Sequence, residues 1–368
     1  MIIKVDQIKD VCGKLLTVLD SDSVSTITET LELKVENSNL YLSITNMEYI
    51  VKTKVNLSHD EQFHATVNAN IFLKLINQLT ADTLELVLDD NVLIVKSNGI
   101  YKLPMIYEGD QLVSLPNIII NNVEYEFDVS YTTLMNIYNY NSKELTKGLV
   151  GSPVQKLYYI DKDGCITFTS GACITEFKLP DDVKFLLNSK TVRLFKLFTA
   201  DNIHVKLGTD NSSGISQVKL TLCDDKVELT TITPSTNELL NMVPKDNIRA
   251  MAKTDYQYTV TLNTMLLKEC INRLILFMPS SLYLQPYGQF EFSSDKVKIY
   301  DKSKNNVETL FYNNPIQCDE ETIVLDLNDL KAIVDNVREE YINLQFGNGQ
   351  AVVIVRPNIY NIIPECVI

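Results

Sequence analysis

The sequence has no tryptophan and only three histidines, His59, His64 and His204. So few imidazoles leave little for His-based acid–base chemistry, and His59 and His64 lack a third ligand at a suitable spacing, so no metal is expected. The seven cysteines, at 12, 165, 173, 223, 270, 318 and 366, form no C-x-x-C pair. That argues against a zinc ribbon or a disulfide framework and fits buried thiols in a reducing cytoplasm. No stretch reads G-x-x-x-x-G-K-[ST], so ATP hydrolysis is not expected. No apolar run approaches the roughly 18 residues of a membrane span. Met1-Ile-Ile-Lys-Val-Asp leads straight into strand and helix patterning, so no secretory leader is expected. Basic charge is also scarce: Lys and Arg number 33 against 47 Asp and Glu, a net charge of −14. Bulk electrostatics will not hold nucleic acid on such a chain. Only a binder that works by geometry, with its few cations on one surface, is compatible with that balance.

What is present is a globular composition, 45% hydrophobic and 22% charged, over 368 residues, too long for one ordinary domain. Most of the chain alternates apolar and polar residues with the period of a half-buried strand. Leu31-Glu-Leu-Lys-Val-Glu, Leu40-Tyr-Leu-Ser-Ile-Thr, Gln217-Val-Lys-Leu-Thr-Leu and Tyr341-Ile-Asn-Leu-Gln-Phe are examples. Leu84-Glu-Leu-Val-Leu and Val92-Leu-Ile-Val flank Asp89-Asp-Asn, which reads as a hairpin. Amphipathic helices are predicted near 6–19, 69–79, 130–141, 189–199, 262–276 and 327–338. Helices this sparse predict an α+β fold of antiparallel sheets with helices on one face.

An internal repeat organises these elements. Val67-Asn-Ala-Asn-Ile-Phe-Leu-Lys-Leu, Leu187-Asn-Ser-Lys-Thr-Val-Arg-Leu-Phe and Leu325-Asp-Leu-Asn-Asp-Leu-Lys-Ala-Ile each run from a strand end through a polar cap into a helix, with a strand following. The helix centres Leu73, Leu194 and Leu330 lie 121 and 136 residues apart, about one third of the chain each. Each third carries two helices, and the expected domains are 1–121, 122–246 and 247–368.

The collinear set of these segments resembles the bacterial DNA polymerase III β subunit, the sliding clamp. Leu40-Tyr-Leu-Ser-Ile-Thr-Asn-Met-Glu is similar to the family's L-x-L-x-A-T-D-x-E strand and turn, Phe168-Thr-Ser-Gly-Ala-Cys-Ile to its A-T-D-G-H-R-L, and Ile363-Pro364 to its apolar–Pro tail. The resemblance covers the whole chain. It implies three topologically similar clamp domains per chain, with antiparallel sheets outside and two helices per domain inside. Two chains would close head to tail into a six-domain ring around duplex DNA. It further implies no enzymatic activity, no cofactor, a replicative polymerase and a clamp loader as partners, and a cytoplasmic location, the host's if the chain is phage-encoded. The alternative is a clamp-like protein-binding scaffold that does not encircle DNA.

On helical wheels the cations gather opposite the apolar faces. Lys9 and Lys14, Lys74, Arg193 and Lys196, Lys268 and Arg273, and Lys331 and Arg338 are the expected DNA-facing set. Acids concentrate in turns and strands, as at Asp89-Asp90, Asp181-Asp182, Asp224-Asp225, Asp319 and Glu320-Glu321. For ring closure, strand 101–106 and segment 267–278 are the candidate edges. The resemblance also implies an apolar partner cleft between the second and third domains. Carried over by position, it comprises Val154, Thr169, Gly171, Ala172, Cys173, Ile174, Met242, Val243, Ile362, Ile363, Pro364 and Glu365. Ala172-Cys173 stands where the family has His-Arg, and Glu365 where it has an apolar residue, so a divergent partner motif is expected. Deleting residues 364–368 is expected to remove partner binding and spare the sheet.

Overall fold

A computed structural model describes residues 1–19, 25–59, 61–144, 151–210, 216–278, 286–318, 320–347 and 349–366. Asp319 of the acidic set and Val367-Ile368 of the tail lie outside the described residues. Each third of the sequence supplies eight principal strands. The first has β1 Ile2–Lys4, β2 Thr30–Glu36, β3 Asn39–Thr45, β4 Tyr49–Asn56, β5 His64–Asn68, β6 Thr83–Asp89, β7 Val92–Lys96 and β8 Ile100–Pro104. The second has β9 Asn122–Ser130, β10 Leu157–Asp161, β11 Gly164–Phe168, β12 Ala172–Glu176, β13 Lys184–Asn188, β14 Asn202–Asp210, β15 Gln217–Cys223 and β16 Val227–Thr233. The third has β17 Tyr258–Asn263, β18 Tyr287–Phe292, β19 Lys296–Tyr300, β20 Val307–Phe311, β21 Glu321–Asp326, β22 Tyr341–Phe346, β23 Ala351–Arg356 and β24 Ile359–Pro364.

All the ladders are antiparallel, and the chain divides into two compact units. One unit, 1–132 with 193–233, holds a four-stranded sheet β1-β6-β7-β8 and an eight-stranded sheet β9-β14-β15-β16-β4-β3-β2-β5. The other, 133–192 with 234–368, holds an eight-stranded sheet β13-β10-β11-β12-β24-β23-β22-β17 and a four-stranded sheet β20-β19-β18-β21. The strand order repeats three times. In every third, strands one, six, seven and eight form one sheet half, and strands five, two, three and four form the other. Twice the fourth strand of one third pairs with the eighth strand of the next: β4 with β16 and β12 with β24. The two strands left over from this rule, β8 and β20, are sheet edges. The α+β fold with antiparallel sheets and a three-fold topology is as the sequence reading expects.

Besides a single turn at Ser142–Glu144, the α-helices are α1 Val5–Leu16, α2 Ala69–Gln78, α3 Tyr131–Asn136, α4 Ser189–Val192, α5 Asn237–Met242, α6 Lys245–Ala252, α7 Thr264–Ile275 and α8 Leu327–Val334. None among the described residues is long and apolar enough to cross a membrane. Asn68 and Asp326 cap α2 and α8 by accepting from first-turn amides, and Asn188 accepts from the Thr191 amide, as the polar cap of each repeat predicts; Asn263 does the same for α7. The 130–141 prediction meets α3 followed by a π-helical turn, Ile137–Asn141. That turn drives Asn141 into the sheet, where it is fully buried. Its amide donates to the Cys173 carbonyl (3.0 Å) and to Thr167 Oγ1 (3.2 Å), and its Oδ1 accepts from Thr175 Oγ1 (2.6 Å). The 327–338 prediction overshoots: the helix ends at Val334, so Arg338 stands beyond it. The 189–199 prediction becomes α4 and a tighter 3₁₀ segment, Arg193–Leu197.

Candidate functional site

The pairing of β12 with β24 builds an apolar site in the second unit. Ala172 lies opposite Ile362 and Ile174 opposite Tyr360, so alternate residues of both strands share a face. Val154, Tyr159, Ile166, Ala172, Ile174, Val243, Ile248, Val353 and Ile362 form one buried cluster on that face. Leu157, Phe168, Leu239, Leu240, Met251, Tyr256, Val355 and Tyr360 are half-buried around it. Five of the twelve predicted cleft residues, Val154, Ala172, Ile174, Val243 and Ile362, are therefore brought together.

Others have different places. Cys173 is buried on the opposite face, where its carbonyl accepts from Asn141. Ile363 is also on that face, in a separate core with Val352 and Ile354. The period-two alternation of a strand forbids Ile362 and Ile363 from lining one cleft. Met242 is 45% exposed and outside the cluster. Pro364 pairs with Ala351 as the last residue of β24, so the tail is a sheet strand and not a free flap. Glu365 donates its amide to the Gln350 carbonyl. Burial, and then the charge of Glu321, push its carboxyl above the usual range.

Thr169 and Gly171 serve the turn between β11 and β12. Thr169 Oγ1 donates to Glu144 Oε1 (2.8 Å), and the Thr169 carbonyl accepts from Gln155 Nε2 (3.2 Å). Gln155 Oε1 in turn accepts from the amides of Gly151 and Ser152, which locks the Pro153–Lys156 turn that carries Val154. At Gly171 a Cβ would stand 2.3 Å from the Ile362 carbonyl oxygen, so the close approach of β24 requires glycine.

The sequence reading missed α5 and α6, which cover one side of the cluster. The signal was present: Thr236 stands as an N-cap before Asn237-Glu-Leu, and Ile248, Met251 and Ala252 repeat at helical spacing after Pro244. Ile248 and Ala252 enter the cluster, while Arg249 forks onto Asp161 (2.6 and 2.9 Å). Lys253 pairs with Glu176 (3.0 Å), and Lys245 Nζ lies 5.6 Å from the centre of the Tyr159 ring.

The corresponding pairing of β4 with β16 in the first unit carries a groove of different chemistry. Its volume is about 390 Å³, and Glu32, Lys34, Glu36, Lys52, Ser114, Asn117 and Glu228 are among its lining residues. Lys34 pairs with Glu36 (2.6 Å) and Lys52 with Glu228 (3.9 Å).

The predicted DNA-facing cations separate into two groups. Lys74 and Lys196 are exposed and Lys9 is half-exposed, and no ion pair engages them among the described residues. Arg338 is exposed and in no ion pair among the described residues either, but it stands beyond α8. The other five are engaged. Arg193, expected on an exposed face, is half-buried and donates to the Val18 carbonyl and the Tyr49 hydroxyl (3.4 Å each). Lys14 approaches Asp10 at 3.8 Å. Lys268 pairs with Asp335 (3.1 Å), and Lys331 bonds Asn272, which ties α7 to α8. Arg273 forks onto Glu308 (2.7 and 3.0 Å) and holds that carboxyl below the usual range. A helical wheel finds the polar side of a helix but not the acid on the neighbouring element.

Among the described residues no group of three or more His, Cys, Asp or Glu is placed to hold a metal. Cys12, Cys165, Cys173 and Cys270 are buried, and burial, with Glu308 adding to it, pushes the Cys270 thiol up to about 12. The segment 267–278, a candidate edge by sequence, belongs to α7 and the turn after it. The edge strand that α7 packs on is β20, and Leu276 and Phe277, just after the helix, are exposed.

A chain built from three repeats of this strand order, joined fourth strand to eighth, has the fold of the DNA polymerase sliding clamps. The β subunit of DNA polymerase III from Thermotoga maritima superposes with a TM-score of 0.79 at 16% identity, over 100% of this chain and 99% of that one. The sliding clamps of Bacillus subtilis (0.79, 13%, 100% and 98%) and Pseudomonas aeruginosa (0.81, 12%, 100% and 99%) give the same result. No family model and no curated protein sequence matches the chain. At these identities the likeness is one of fold.

Proposed function

We propose that this chain is a DNA sliding clamp: a non-catalytic, cytoplasmic processivity factor whose two copies close head to tail around duplex DNA. Its domains would be 1–121, 122–246 and 247–368. The observation that carries the reading is the joint used twice within the chain and left open once. Pairing β20 of one copy with β8 of another repeats the β4–β16 and β12–β24 rule and removes the two edges that the rule leaves open. The exposed apolar residues at those edges support it: Ile100 on β8 is 68% exposed and Phe311 on β20 is 66% exposed. Encirclement also accounts for DNA binding by a chain of charge −14, because topology replaces affinity. Lys9, Lys74 and Lys196 then supply weak, salt-sensitive contacts.

In this reading the apolar cluster is where the replicative polymerase and other partners dock, the ring is opened by a separate loader, and no cofactor takes part. The test is retention on circular DNA. The loaded ring should stay on a nicked circle and run off when the circle is linearised. Equal loss from both would favour the alternative, a scaffold that binds partners without encircling DNA.

A further inference from the structure

We propose that α5 is a built-in lid on the apolar cluster, a self-ligand that a partner peptide must displace; this rests on reading the cluster as the docking site. The segment is tied at both ends. Before it, Ser235 Oγ accepts from the Leu186 amide (2.8 Å). After it, Val243 is buried in the cluster and Pro244 starts the next helix. Between these anchors α5 has no buried residue. It packs against β13 and the Pro153–Lys156 turn, and it reaches the cluster only through half-buried Leu239 and Leu240. Asn237, Glu238, Asn241 and Met242 face solvent.

Six residues are too few to hold a helix in water, so α5 is helical because of the surface beneath it. Lifting it breaks no sheet pairing and exposes no buried side chain of its own. What it covers includes Val154 and the apolar face beside β13. A short segment with two adjacent apolar anchors is therefore the kind of occupant this surface accepts, because the chain presents one there already. A lid that is closed about nine times in ten lowers the apparent affinity of a competing peptide about tenfold.

The experiment supplies the lid in trans. A synthetic peptide copying residues 235–243 is titrated into the full-length protein and into Leu239→Ser/Leu240→Ser. Tethering gives the native segment an effective concentration on the order of millimolar, so a dissociation constant of about 0.1 mM is expected for the variant. Binding to wild type should be at least tenfold weaker. No binding to the variant, or equal binding to both, overturns the lid. If the double variant fails to fold, replacing Asn237–Met242 with six Gly and Ser residues serves the same purpose. A second synthetic peptide carrying one Leu and one Phe anchor separates the two ideas by amide exchange. Protection of β12 and β24 with tighter binding to the variant supports the lid. The same protection with unchanged affinity removes the lid and leaves the docking site. Protection of neither strand removes both.

Discussion

If two copies close into a ring as proposed, replacing Phe311 with Asp should split it into monomers without unfolding them. Phe311 ends β20 and is 66% exposed in the single chain, so its substitution should change unfolding free energy by no more than about 0.5 kcal/mol. In the proposed ring that side chain would be covered by the facing copy. Burying two-thirds of a phenylalanine stabilises by about 1.5–2 kcal/mol, given about 3 for the whole side chain. A two-chain ring contains the joint twice, so Phe311→Ala costs about 3–4 kcal/mol of dimer free energy, a rise in Kd of several hundredfold. Aspartate adds the desolvation of a charge at each joint and should raise Kd further. Sedimentation at micromolar concentration reads the change directly. Ile100→Asp on β8 should behave alike, since both edges meet in one joint. Ile2→Asp, on the far side of the β1–β8 sheet, should not, although Ile2 is 70% exposed. A Phe311→Asp protein that sediments as a dimer with unchanged Kd would refute the assignment of β20 to the interface.

The same geometry sets three other outcomes. Lys9, Lys74 and Lys196 changed together to Glu should leave the melting curve unaltered and flatten the salt dependence of DNA retention by about 0.9 in log–log slope for each phosphate no longer neutralised; an unchanged slope would mean these helices do not face DNA. Gly171→Ala should cost about 2–3 kcal/mol in urea unfolding, because its Cβ meets the Ile362 carbonyl; a loss under 0.5 kcal/mol would mean β24 can retreat. Glu365→Gln should raise the melting temperature at pH 7.5. The carboxyl titrates higher in the folded state, so its ionisation opposes folding above the unfolded value, and the gain should vanish below about pH 4. A lower melting temperature at pH 7.5 would mean the carboxylate has a favourable partner.

The strands were legible because alternation and tight turns are local signals. Asp89 pairs with Val92 across a two-residue turn in which Asp90 takes a positive φ, as the acidic hairpin sequence predicts. The repeat was legible for the same reason. The joints were not, since nothing in β12 alone names β24 as its neighbour. The cleft was half legible: positional resemblance found Ala172, Ile174 and Ile362, but a run of adjacent residues cannot all face one way, and Cys173 and Ile363 turned to the other side. The pairing of Pro364 with Ala351 also counts against the expectation that the sheet is spared when residues 364–368 are deleted. Removing Pro364 shortens a central strand, and a polar residue at Ile363 would enter a core. The π turn at Ile137–Asn141 left no periodic trace of its own, and α5 and α6 are short, so their caps and spacing on either side of Pro244 were overlooked beside the strand patterning.

The groove at the β4–β16 pairing and the cluster at the β12–β24 pairing are the same junction with different side chains. Geometry alone would give every junction equal standing, and a closed ring would offer six equivalent stations. Composition lifts that degeneracy. Glu32, Glu36 and Glu228 with their lysines make one junction in each chain charged, while Ala172, Ile174 and Ile362 make the other apolar. If two copies close as proposed, the ring would hold two clients at apolar stations rather than six, one per chain, and any third would wait for a vacancy. On that reading, the queue for the station is set by the glutamates of two strands at one junction and the isoleucines of two strands at the other.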